Sequence, residues 1–249
     1  MADPADRQPS GRAGNGGGVS VATLLLRLAG PMQSWGTTSR FDERDSQLEP
    51  SKSGVLGLLC AALGRDRAEP VADLAALRMG VRVDREGLLM RDYQTATGVL
   101  IAATGKPDLG RTVVSPRHYL ADAAFLVGLQ GDDAALLAAC QAALKAPVWP
   151  LALGRKAHVP SQPVWLDDGT AIQPGDLNEV LTCHPRIAPA RAEHRHQPVR
   201  LLLEHATTGA LRHDQPTGPF AERRFGPRFV QSGVLDHVPD EVAAESGTH

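Results

Sequence analysis

The chain has 249 residues, 42% of them hydrophobic and 22% charged, with a formal net charge of −2. This length suits one large domain or two small ones around a real core, and the balance is ordinary for a soluble globular protein. A net negative charge argues against a uniformly basic nucleic-acid binder and leaves room only for local basic patches. Three cysteines, Cys60, Cys140 and Cys183, make no disulfide framework. No apolar run reaches the length of a membrane span and the start carries no signal pattern, so a cytoplasmic protein with no membrane partner is expected.

Residues 1–19 are rich in Gly, Pro, Ala and charge, and read as a disordered extension. Leu24 to Leu28 form a buried strand bounded by Gly30-Pro31. Residues 31–50 are a long loop holding Gln33, Trp35, Arg40 and Phe41. Loops of this length are often functional, and an aromatic near arginine suits base stacking. Packing of Trp35 over the sheet edge is the alternative. Ser51 or Ser53 caps a helix in which Val55, Leu58, Leu59 and Ala62 recur at helical spacing, and Gly64 ends it. Lys52 stands at the helix entrance, where free N–H groups make a seat for a phosphate.

Val71 to Met79 reads as a short helix or turn, and Met79 to Asp84 alternates as a half-buried strand. Residues 85–116, with Arg91, Lys106 and Arg111 among glycines, fit an inserted hairpin. Tyr119 to Leu129 is apolar on both phases and reads as a buried strand. Asp132-Asp133 opens a helix lined by Leu136, Leu137, Cys140 and Leu144 and stopped by Pro147. A strand near Val148–Leu153 would complete an α+β, ferredoxin-like or RNA-recognition-motif domain over residues 20–153. Residues 154–235, with recurring prolines and short β-type runs at Val164–Leu166, Val199–Glu204 and Arg228–Val230, read as a smaller, irregular β-rich region packed on the first. Residues 236–249 read as a disordered tail.

Ser51-Lys52-Ser53-Gly54 lacks the glycine that a nucleotide-hydrolysing loop needs, which leaves an RNA phosphate contact or a solvated lysine. Gly154-Arg155-Lys156 offers a close backbone approach and two cations for a phosphate, against a plain surface turn. Arg117-His118 is the best candidate for chemistry, since a histidine can deprotonate a ribose hydroxyl beside Lys52. RNA contact or strand-edge packing is the favoured reading of His118. Cys183, His184, His194 and His196 match no zinc spacing, and neither a metal nor a cofactor is expected. No nucleophile elbow, dinucleotide fingerprint or carboxylate constellation is present in the sequence, so no catalytic residue is assigned.

LRLAGPMQSWG followed by PSKSGVLGLLCAALG resembles the CasD family, the type I-E CRISPR subunits that bind the 5′ end of the guide RNA in the Cascade surveillance complex. The resemblance continues in order through RDYQT (Arg91–Thr95), RHYLADAAFLVGL (Arg117–Leu129) and LALGRK (Leu151–Lys156). It implies a non-catalytic subunit that holds the RNA 5′ handle and caps the backbone filament, while a separate endonuclease cuts the repeat. It implies a hairpin thumb at residues 85–116 that meets guide RNA and the backbone subunit, contact with the large subunit, and target DNA met through the assembled complex. It also adds weight to RNA roles for Gln33, Trp35, Arg40, Ser51, Lys52, Ser53, Arg91, Arg111, Arg117, His118, Gly154, Arg155 and Lys156. A stand-alone endoribonuclease using His118 and a purely structural subunit remain the alternatives.

Overall fold

The computed structural model describes residues 21–38, 43–101, 104–194 and 197–239. The extension expected at 1–19 and most of the expected tail lie outside the described residues. Part of the described tail is packed: Val238 is buried and the Pro239 carbonyl accepts from the Arg186 N–H at 2.9 Å, while Asp236 and His237 are exposed.

One antiparallel sheet organises the chain. Its eight strands are β1 (Ala22–Gln33), β2 (Arg78–Arg85), β3 (Leu88–Leu100), β4 (Pro107–Gly131), β5 (Ile172–Pro174), β6 (Val199–His205), β7 (Ala210–Pro216) and β8 (Phe225–Leu235). The order across the sheet is β5-β1-β4-β2-β6-β8-β7, with β3 paired to β4 off that path. Mixed α/β architecture follows from the helices α1 (Lys52–Leu63), α2 (Ala72–Ala76), α3 (Ala134–Lys145), α4 (Asp168–Ala171) and α5 (Leu177–Cys183).

β1 is apolar on both sides because both faces of the sheet are covered. Leu24, Leu26 and Leu28 join Val55, Leu59, Leu137 and Cys140 in the core under α1 and α3. Leu25 turns to the opposite core with Leu126, Leu177 and Leu181. There α5 lies close against the sheet, because Gly80 and Gly128 face each other across β2 and β4. A Cβ at either glycine would come within 2.6 Å of a leucine of α5.

The helix signals are local. Ser51 caps α1 by accepting from the Gly54 N–H at 3.3 Å, and Gly64 closes it at φ +70°. Asp133 caps α3 through the Leu136 N–H at 2.9 Å. Cys60 and Cys140 pack in the helix core, and burial pushes each thiol up to about 11.

Two expectations are corrected. Val148–Leu153 is not a strand. Pro147 and Pro150 cannot donate to a ladder, and the Val148 and Trp149 N–H groups instead bond the Ala62 and Ala61 carbonyls at the end of α1, at 3.0 and 3.1 Å. The strand that pairs with the outer edge of β1 is β5, three residues long and well beyond that run. The run Val164–Leu166 contributes only an isolated bridge from Trp165 to Leu26. Of the residues after 154, α5 packs on one face of the sheet, whereas β6, β8 and β7 are not a separate packed unit: β6 pairs antiparallel with β2, so the three extend that same sheet.

β3 and the first part of β4 form a two-stranded ribbon. β3 pairs with β4 from Leu88–Ala121 out to Leu100–Pro107. Most side chains along β3 are exposed, because no third strand or helix covers this ribbon among the described residues.

Candidate nucleic-acid interface

The end of β1, the start of the following loop and residues 153–158 meet at the base of the ribbon. The Ser34 N–H donates to the Leu153 carbonyl at 3.0 Å, and Ser34 Oγ donates to the His118 carbonyl at 3.1 Å. Gly154 sits at φ +95°, and a Cβ there would lie 1.8 Å from the Ser34 carbonyl oxygen. Only glycine lets the backbones approach this closely. The Leu153 N–H donates to the His158 carbonyl at 2.7 Å, and the His158 N–H to the Arg155 carbonyl at 2.9 Å. These bonds close a tight loop that presents Arg155 and Lys156.

Arg155 reaches across to β4. Its guanidinium donates to the carbonyls of His118 at 2.9 Å and Arg44 at 3.2 Å. Arg44 bridges to Arg117, with Arg44 N–H bonded to the Pro116 carbonyl and His118 N–H to the Arg44 carbonyl, at 3.0 and 2.8 Å. Three arginines, 44, 117 and 155, are thereby collected on one surface, with Lys156 exposed beside them. Burial holds the Arg155 guanidinium below its ordinary value, and the charges of Arg117 and Arg44 add to the effect. Asp45 and Asp92 oppose it. The cluster thus sets three guanidinium groups within reach of one another's charge.

The ribbon carries further cations. Arg91 lies opposite His118 in the ladder, and its guanidinium stands 4.9 Å from the centre of the exposed Tyr93 ring. Arg111 is exposed further along β4. His118 contributes mainly through its backbone: its N–H bonds Arg44, and its carbonyl accepts from Ser34 and Arg155.

Other residues expected at this surface are placed elsewhere. Lys52 is 1% exposed, and its ammonium holds both Glu204 carboxylate oxygens at 3.0 Å. The Lys52 backbone N–H donates to Asp214 at 2.8 Å, and Asp214 in turn pairs with Arg228 at 2.6 Å. The entrance of α1 does bind an anion, as its geometry predicts, but that anion is a carboxylate of β7. Burial lowers the Lys52 pKa, with Glu204 opposing. Trp35 is a core residue at 1% exposure, packed where a Cβ on Gly54 would meet its ring. Its indole N–H donates to Gln33 Oε1 at 3.2 Å. Gln33 is fully buried and donates to the Leu28 and Ala123 carbonyls at 3.1 and 2.8 Å. Ser51 is the buried helix cap, and Ser53 is half-buried in the first turn. Arg40 lies outside the described residues.

Arg44 is the functional candidate that motif reading passed over. Its signal was its place in the same long loop as Arg40, but only the fold brings it to Arg117, which lies 73 positions later.

The model of the family described as CRISPR-associated protein (Cas_Cas5) matches residues 23–231. The chain belongs to this family. It is 34% identical over 167 residues to the CRISPR system Cascade subunit CasD of Escherichia coli (strain K12), a match covering 61% of this chain and 73% of that protein. A solved structure described as a Cas protein is 50% identical, with a TM-score of 0.71 over 88% of this chain and 98% of that one. A chain of a CRISPR RNA-guided surveillance complex is 33% identical, with a TM-score of 0.69 over 87% and 91%. The match to the Cas5 family spans the sheet, the ribbon and the arginine cluster. No described helix is long and apolar enough to cross a membrane.

Proposed function

We propose that this chain is the guide-RNA-binding subunit of a type I-E CRISPR Cascade, and that it holds the RNA 5′ handle and caps the backbone filament without cutting RNA. The observation that carries this reading is the meeting of Arg44, Arg117 and Arg155 beside exposed Lys156 at the base of a two-stranded ribbon. Single-stranded RNA offers phosphates that suit such a cluster, and an exposed ribbon with Arg91 and Arg111 extends the basic surface. Membership of the Cas5 family and likeness to a Cascade subunit and to a surveillance-complex chain support the same reading. In it, the ribbon is the thumb that reaches the adjacent backbone subunit. The large subunit and target DNA are met through the assembled complex, in the cytoplasm.

The strand order β5-β1-β4-β2, with α1 and α3 as the two crossovers, supports a ferredoxin-like core for residues 22–174. An endoribonuclease reading is weaker. It asked Lys52 to assist His118, and Lys52 is locked to Glu204 inside the protein.

The test is co-purification with the other Cascade subunits, sequencing of the protected RNA, and guide retention over a salt series. Arg155→Ala combined with Lys156→Ala is expected to flatten the salt slope by about 0.7 for each phosphate no longer held. A wild-type slope in that variant would leave a structural subunit as the better reading.

A further inference from the structure

The connection between α5 and β6 carries charge out of proportion to the chain. Its sequence includes Arg186, Arg191 and Arg195 against Glu193, in a chain whose formal net charge is −2. Segregated positive charge sets up a local field that draws in polyanions. The fold gathers part of this charge into a cleft between the exit of β2 and the connection. Arg85, Arg186, Arg191 and His194 line it, together with Asp84 and Glu86.

Both of those carboxylates are already matched. Asp84 is held by the buried Arg82 at 2.6 Å, and Glu86 by Arg200 at 2.6 Å. Arg85 and Arg191 share a further carboxylate, Asp122, at 2.8 and 3.6 Å. Each guanidinium is also aimed by a backbone carbonyl: Arg85 by Asp122 at 2.9 Å, Arg186 by Asp84 at 3.2 Å and Arg191 by Ala121 at 3.4 Å. A guanidinium has five N–H donors, so one carbonyl and a shared carboxylate leave donors over. Asp122 is itself 54% exposed and stands 3.6 Å from Arg191, which makes it an exchangeable partner.

We propose that this cleft is a second phosphate seat, taking a phosphodiester of a single-stranded nucleic acid that replaces Asp122 on Arg191. It is separate from the arginine cluster: Asp122 follows Arg117 by five positions along β4, roughly 16 Å of strand. The proposal rests on the guide-RNA reading only in taking nucleic acid as the polyanion. Guide RNA and target DNA present the same group, and the experiment separates them.

Assembled complexes are prepared with Asp122→Asn, with Arg186→Gln plus Arg191→Gln, and with Arg155→Ala as the reference for the first site. Guide retention and target-DNA affinity are read over a salt series. The double variant is expected to flatten the slope for one nucleic acid by about 0.7 for each phosphate no longer held. Asp122→Asn, whose new residue tolerates the φ of +56° at this position, is expected to tighten the same nucleic acid at low salt. The gain should be roughly three- to tenfold. A change confined to RNA assigns the seat to the guide, and one confined to DNA assigns it to the target. Wild-type slopes and affinities for both nucleic acids in Asp122→Asn overturn the proposal, even if the double variant does not fold. Dissociation of a protein subunit with both slopes intact also overturns it, in favour of a protein partner. A shift in Arg155→Ala alone overturns the second seat and leaves the first site standing.

Discussion

Lys52 shows how a partner distant in sequence decides a residue's role. Its partner Glu204 is 152 positions away and itself only 18% exposed, with Arg228 at 3.7 Å on its other side. Removing the Lys52 ammonium leaves the half-buried Glu204 with only the more distant Arg228 as a cationic partner, at a cost of up to about 3 kcal/mol. Lys52→Ala is therefore expected to lower the unfolding free energy of the free protein by an amount of that order, seen as a lower denaturation midpoint. The salt slope of guide retention by assembled complexes should stay at the wild-type value, because Lys52 holds a carboxylate and not a phosphate. A flattened slope with an unchanged midpoint would return Lys52 to the RNA surface. The helix entrance, its cap and its need for an anion are all legible in the sequence. That Asp214 and Glu204 arrive there first is not, because both come from strands more than 150 positions away. Gly154-Arg155-Lys156 was legible for the opposite reason, since glycine at a strained turn and adjacent cations are local signals.

At the scale of elements, the loop from Leu153 to His158 places a buried histidine beside Arg155. His158 is 6% exposed, and burial, then the charge of Arg155, lowers its pKa below 6.5. His184 is lowered as well, chiefly by burial. The unfolded chain therefore binds these protons at a higher pH than the folded one. Their contribution to stability is full above about 6.5 and falls as pH drops towards the folded values, then levels off. The thermal midpoint is expected to fall between about pH 7.5 and 5.5, and His158→Gln should reduce that fall. An identical fall in wild type and variant would show that His158 does not titrate into the penalty. Element legibility follows the same divide between local and distant causes. Long periodic runs gave α1, α3 and the apolar stretches of β1 and β4, but β1 does not stop at Gly30-Pro31 as expected: it runs on to Gln33, with Met32 and Gln33 still paired to Ala121 and Leu120 of β4. β5 and α5 are short, and β7 is polar along much of its length, so each exists through its neighbours and carried no usable period.

For the whole molecule, the question is whether the residues after 154 fold as their own unit. Composition set them apart as a smaller β-rich region, because prolines recur there and the strand signals are short. The contacts argue otherwise. β6 takes the edge of β2 through the pairs Gly80–Leu203, Val81–Leu202 and Arg82–Leu201. Leu202 and Val230 belong to the same core as Leu26 and Val55. Ion pairs cross the same boundary, from Lys52 to Glu204 and from Glu49 to Arg200 and Arg212. Buried Arg82 donates to the carbonyls of Leu181, His184 and Pro185, fastening the connection to β2. Separating the halves would expose an unpaired strand edge and strand several charges, so neither half is expected to be stable alone. The full chain is therefore expected to unfold in one transition, with calorimetric and van't Hoff enthalpies in agreement. A fragment ending before Val199 should lack a cooperative transition. Two resolved transitions, or a fragment that melts cooperatively, would show instead that the two regions fold independently.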